Sequence, residues 1–177
     1  MKKVLMIVMC ALLCASCIVL AAGCAEISVD DLSSPGDLSE GDEAPDFTAE
    51  LAGGETFTLS DHKDEVVLLD FWATWCGYCI DEMPDVQRLQ DDGIDGLTIV
   101  AVNCAEAKAQ VDAFRLKTGY TFNFAYDEDG VISSQYPTSA IPCTVIVYKG
   151  KVKKIFIGAS PDAYEEFKSA AEECLNE

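Results

Sequence analysis

Residues 65–72, EVVLLDFW, form an apolar run that only Asp70 interrupts after the opening glutamate. Alternating polarity would mark a strand with one wet face, whereas an unbroken run marks a strand covered on both sides. The segment therefore belongs in the middle of a sheet with layers above and below. LTIVAVN (97–103) reads as a second buried strand, and TFNFAY (121–126) as a shorter one turned by Asp129-Gly130. Between them, apolar Met83, Val86 and Leu89 recur at helical spacing after Cys79, with Pro84 inside the pattern, and 105–119 reads as a second helix ended by Gly119. Upstream, Phe47–Leu51 and Thr56–Leu59 flank Gly53-Gly54 as a short hairpin. Downstream, CTVIVY (143–148) and KVKKIFIG (151–158) flank a two-residue Lys149-Gly150 turn. A closing helix is expected over 160–175, with Ser160 as N-cap and Pro161 at its first position. Parallel strands with helical crossovers, then an antiparallel hairpin and a helix, predict an α/β sandwich around a mixed sheet.

The first 24 residues have a different character. Lys2 and Lys3 precede an apolar run from Val4 to Ala22 that ends in small residues before Cys24. This is an export segment. Leu20-Ala21-Ala22-Gly23-Cys24 resembles a bacterial lipobox, with Ala21 where leucine is usual, which implies a signal peptide over 1–23 and lipidation of Cys24. The same run, read as an uncleaved anchor, is just long enough to span a hydrocarbon core of about 30 Å. Both readings place the rest of the chain outside the cytoplasm, tethered to the bacterial cell membrane. Residues 24–43 are expected to be a tether linker and 44–177 one domain. Cys10, Cys14 and Cys17 fall in the apolar run and read as small hydrophobes.

Charge narrows the partners. The chain carries 31 acids against 12 Lys and Arg, a net −19, and loss of Lys2 and Lys3 with the leader takes it to −21. Such a chain does not bind nucleic acid by neutralising phosphates, nor is it drawn to anionic lipid. Nine of the acids lie in residues 25–50, which contain no base, so that stretch reads as a solvated, self-repelling spacer up to about Gly41.

Cys76 and Cys79 follow the central run directly, as CGYC at the turn from a strand into a helix. That turn puts the first sulfur at a helix N-terminus, where unpaired N–H groups and the helix dipole favour a thiolate. Cys76 is the candidate nucleophile. Cys79, one turn on, is placed to attack a mixed disulfide on Cys76 and release the product. Structural zinc would need four ligands, and the chain offers a single His62 and no second C-x-x-C. A copper chaperone of this kind would use C-x-x-x-C, haem attachment would need His where Ile80 stands, and a staple across so tight a loop adds little stability. The pattern predicts a redox pair with no metal and no cofactor beyond the Cys76–Cys79 disulfide itself.

The segment LDFWATWCGYCIDEMP (69–84) resembles the active-site wording of the thioredoxin superfamily, in particular its membrane-tethered TlpA/ResA-like branch. GDEAPDF, TFTLSDHKDEVVLLDFW and AIPCTVIVYKGKV extend the likeness in order over 41–158. The resemblance implies a thioredoxin-like three-layer sandwich with an added N-terminal β-hairpin, acting as a thiol-disulfide oxidoreductase. It implies that Trp75 shields the pair and joins a docking surface with Gly77 and Tyr78. Pro142 should be a cis-proline beside Cys76, with the Ile141 backbone pairing with a substrate strand. It further implies protein disulfide or dithiol substrates, apocytochromes c among them, and a membrane thiol carrier as electron donor. A carboxyl group on an apolar strand has a raised pKa and suits proton transfer near neutral pH, so Asp70 is expected to be the general base for Cys79.

Glu82 is expected to solvate or cap the first helical turn, and Cys174 to be core. Gly77-Tyr78 departs from the commoner Gly-Pro or Glu-Pro. Cys143 stands where threonine is usual, and with Cys104 is expected to be a buried small residue, a second disulfide or thiol relay between the two being the sharper alternative. Two other functions stay open. GDEAPDF also suggests a peroxiredoxin-like peroxidase, but that class needs a P-x-x-x-T-x-x-C loop, which the chain lacks. The other is a non-catalytic binding lipoprotein on the same fold.

Overall fold

A computed structural model describes residues 37–177. The leader and Cys24 lie outside the described residues. The central run forms β3 (Val66–Trp72), and every residue in it is buried. It pairs in parallel with β4 (Leu97–Cys104), which pairs in parallel with β5 (Asn123–Asp127). On its other side β3 pairs antiparallel with β6 (Cys143–Tyr148), and β6 with β7 (Lys151–Ile157). The sheet order is thus β5-β4-β3-β6-β7, with the most apolar strand at its centre. A separate hairpin, β1 (Thr48–Glu50) with β2 (Thr56–Thr58), completes the expected thioredoxin-like architecture.

Each face of the sheet has its own apolar layer. On one, Leu68 and Trp72 meet α1 (Gly77–Asp91) through Cys79, Met83, Val86 and Leu89, and α3 (Ala163–Leu175) through Phe167 and Ala171. Helix α2 (Lys108–Thr118) joins this layer at Val111, and its Phe114 ring lies 4.8 Å from that of Trp72. On the other face, Phe71 packs on Tyr136 at 4.8 Å, and Phe47 and Phe57 bring in the β1–β2 hairpin. Alternation along β3 divides the layers: even-numbered residues face the helices, odd-numbered ones the hairpin.

Two helix starts differ from expectation. Helix α2 begins at Lys108 and not at 105, because Ala105 sits at φ 56° and Glu106 turns inward to bond the loop after β3. Helix α3 begins at Ala163 with Asp162 at the cap position, and the Ser160 hydroxyl, two residues earlier, accepts from the Asp162 N–H at 3.2 Å. Ser160 and Pro161 thus form the turn that leads into the helix.

The β6–β7 turn holds Lys149 at φ 54° and Gly150 at φ 74°, the left-handed pair that a two-residue hairpin requires. A Cβ on Gly150 would meet only ordinary contacts, 3.8 Å to Lys63 and 3.9 Å to Glu43, so backbone strain alone sets the outcome. Gly150→Ala is expected to cost about 1 kcal/mol, read as a lower urea midpoint with unchanged slope. Beside this turn the entering chain is fastened. Gly41 N–H donates to Val152 O at 2.8 Å, Val152 N–H to Asp42 O at 2.9 Å and Ala44 N–H to Gly150 O at 2.9 Å. Lys151 pairs with Glu43 at 2.8 Å. Among the described residues, no helix is long and apolar enough to cross a membrane.

Candidate active site

Sheet direction brings the site together. The C-terminal ends of β3 and β4 and the start of antiparallel β6 meet at one edge, with Phe71 opposite Cys143 and Trp72 opposite Asn103. Cys76 caps α1: its own N–H donates to Ala73 O at 3.1 Å, and the Cys79 N–H points at its sulfur at 3.2 Å. The two cysteines are joined as a disulfide. Cys76 is 6 % exposed and Cys79 1 %, so an approaching group meets Cys76 first. Its sulfur lies 3.6 Å from the Ile141 carbonyl oxygen, and the Ile141–Pro142 peptide is cis. Trp75 and Tyr78 are 72 % and 73 % exposed, and Gly77 between the cysteines is open to solvent, so a broad aromatic rim surrounds a nearly covered disulfide. Large exposed aromatics beside a reactive group suit transient docking of another chain.

The loop that presents Trp75 and Cys76 is fixed from below. The Glu106 carboxylate accepts from the Thr74 N–H at 2.7 Å, from the Thr74 hydroxyl and from Asn103 Nδ2 at 2.8 Å. Reading residues 105–119 as one helix hid this role, and only the left-handed Ala105 reveals it.

Two acidic residues are buried in the helix-side layer that also holds Cys79. Asp70 projects from β3 toward the helix layer and is 2 % exposed. Burial pushes its carboxyl well above the usual range, and the nearby Glu82 carboxylate adds to the shift. Glu82, expected to be solvated, is instead buried on α1. Burial raises it to about 7, while an N–H bond from Ser160 opposes and the Asp85 and Glu166 charges reinforce the rise. The signal for this was present in the spacing. Position 82 falls on the same helical stripe as Cys79, Met83 and Val86, so a polar residue there points inward.

The other cysteines are quiet. Burial pushes the Cys104 and Cys143 thiols up to about 12, which suppresses their thiolates. Strand β3 lies between them, so their backbones stand about two strand spacings, ~10 Å, apart, beyond the ~7 Å that a disulfide can bridge. The sharper alternative of a Cys104–Cys143 disulfide is therefore set aside. Cys174 is buried on α3. His62 stacks on Phe57 at 4.6 Å, and among the described residues no group of three or more His, Cys, Asp or Glu is gathered as metal ligands would be.

Among the described residues, the buried side-chain polar atoms without a hydrogen-bond partner are Asp70 Oδ1, Trp72 Nε1, Asn103 Oδ1 and Thr144 Oγ1. Each such atom costs about 1–3 kcal/mol, so their grouping at the active-site end of one sheet face calls for a reason.

A mixed sheet of this order, with a C-x-x-C pair capping the helix after its central strand and a cis-proline at the sulfur, defines a thioredoxin-like thiol-disulfide oxidoreductase. A Redoxin family profile matches residues 39–173, and the chain belongs to that family. It is 40 % identical over 125 residues to the thioredoxin-like protein YneN of Bacillus subtilis, covering 68 % of this chain and 73 % of that one. It is 35 % identical over 128 residues to the thiol-disulfide oxidoreductase ResA of the same organism, covering 71 % and 72 %. Among solved structures, a putative thiol:disulfide interchange protein DsbE from Chlorobium tepidum superposes with a TM-score of 0.72 at 31 % identity, covering 78 % of this chain and 99 % of that one.

Proposed function

We propose that the protein is an extracytoplasmic, membrane-tethered oxidoreductase that reduces protein disulfides through Cys76 and Cys79. One observation carries the reading. The outer sulfur sits at a helix N-terminus beside the Ile141 carbonyl and two exposed aromatics, while the inner cysteine is buried on the same face of the sheet as the Asp70 carboxyl group. In the reduced chain, the Cys76 thiolate attacks a substrate disulfide and forms a mixed disulfide, releasing one substrate thiolate. Asp70 then takes the proton of the Cys79 thiol. The Cys79 thiolate attacks Cys76, the Cys76–substrate bond breaks, and the second substrate sulfur leaves with the electron pair and is protonated by solvent. Two electrons have passed to the substrate, and the Cys76–Cys79 disulfide remains.

The buried acids near the pair support the reducing direction. Burial opposes charge in this layer, as the raised Asp70 and Glu82 carboxyl groups show, and an environment that disfavours a thiolate relative to the disulfide lowers the reduction potential. Tyr78, in place of the commoner proline, supplies an aromatic contact for partners. Trp75, Gly77, Ile141 and Pro142 line the same approach. Cys24 is the proposed lipid attachment within the acidic tether, a membrane thiol carrier the electron donor, and apocytochromes c a client class. Equilibration with glutathione is expected to give a potential nearer the value of about −270 mV typical of thioredoxin than the −120 mV of a strong oxidant, and the reduced chain should turn over insulin. A potential near −120 mV would reverse the proposed direction, and inert insulin alongside it would leave only a binding role.

A further inference from the structure

The partnerless buried atoms sort into couples when the strand register is applied. Trp72 stands opposite Asn103 across β3–β4, which sets a partnerless indole donor beside a partnerless amide acceptor in the ladder. Asp70 stands opposite Thr144 across β3–β6, which sets a partnerless carboxyl oxygen and a partnerless hydroxyl on directly opposed residues. In each couple one member can donate and the other accept. Thr144 is 1 % exposed, and its neighbours Cys143 and Val145 belong to the hairpin-side layer, so its side chain shares the helix-side face with Asp70. Directly opposed residues bring their Cβ atoms within about 4.5–5.5 Å, and one χ1 step of a threonine then carries its hydroxyl to the facing carboxyl group.

We propose that Thr144 is a positioning residue for proton transfer at Asp70: its hydroxyl donates across the ladder to the Asp70 carboxylate and keeps that charged form available to accept the Cys79 proton. The proposal rests on the reading of Asp70 as the base. The titratable and charged groups around Asp70 offer no substitute. Helix α1 presents Glu82 and the cysteine pair, β6 presents Cys143 and β4 Cys104. Asp85 and, from α3, Glu166 act on Glu82 behind them. All are acidic or neutral, so a hydroxyl is the donor at hand. A hydrogen bond to a carboxylate is stronger than one to the neutral acid, and its net effect is to favour the base form.

The test follows resolution of a mixed disulfide on Cys76 across pH 5–9 in the full chain. Its rate should rise with pH as Asp70 charges. Thr144→Val, isosteric and without the hydroxyl, is expected to move the midpoint up by about one pH unit, a tenfold slower reaction at pH 6 with the alkaline plateau retained, and Thr144→Ser should restore the original midpoint. In an Asp70→Asn background, Thr144→Val should change nothing further. A merely structural threonine would alter the melting temperature and leave the midpoint in place, and that result overturns the proposal. If Asp70→Asn leaves the wild-type profile unmoved, the base assignment falls and this inference with it. If Asp70→Asn moves the profile and Thr144→Val does not, only the role of Thr144 is lost.

Discussion

Asp70→Asn is expected to slow release of the reduced product from Cys76 about a hundredfold at neutral pH while making the domain more stable at pH 8. The two effects share one cause. Burial holds the carboxyl group protonated beyond its usual range, and Glu82 opposes its ionisation further. In the unfolded chain the same group ionises near pH 4. Between that pH and the raised folded value the native state holds the extra proton, so stability declines as pH rises through the interval. Asparagine does not titrate, keeps the shape and removes this loss. The gain should therefore be absent at pH 4 and grow toward pH 8, while the missing base slows the Cys79 step. Urea unfolding across pH, set beside single-turnover kinetics, checks both. An Asn variant with undiminished turnover would leave Asp70 a buried acid with no part in the chemistry.

Glu82→Gln is expected to add about 3 kcal/mol to stability at pH 8 and close to nothing at pH 4.5. The folded carboxyl group titrates at about 7 against an ordinary value of 4.5, chiefly because α1 buries it. Its sign is that of Asp70: the folded state keeps the proton, and stability is lost as pH climbs from 4.5 through 7. Glutamine retains an acceptor for the Ser160 N–H and removes the buried charge. Denaturant midpoints at pH 4.5, 6 and 8 measure the difference directly. A gain independent of pH would assign the effect to packing and not to ionisation.

Local patterns revealed most of the architecture, because burial on both faces imprints itself on consecutive residues. EVVLLDFW announced β3, the C-x-x-C announced the start of α1, and Lys149-Gly150 announced the last hairpin. What stayed hidden depends on residues distant in the chain. Glu82 looked like a first-turn surface acid until its place on the Cys79–Met83–Val86 stripe is weighed against its charge. Glu106 looked like part of a helix, because nothing near it in sequence shows that Thr74, 32 residues earlier, needs a carboxylate. Thr144 meets Asp70 only through the register of two strands 74 residues apart, which alternation cannot supply.

The fastening of residues 41–44 beside the β6–β7 turn has a mechanical meaning. Gly150 follows the end of β6 that pairs near Val67, at the start of β3, whereas Cys76 follows the other end of that seven-residue strand, about 20 Å away. Tension arriving through the chain upstream of residue 37 is taken first by the hydrogen bonds at Gly41, Asp42 and Ala44 and by the Glu43–Lys151 ion pair. These can peel from an edge strand while the central ladder holds. A pull on the chain upstream of residue 37 would thus be borne at the end of the sheet opposite the working sulfurs.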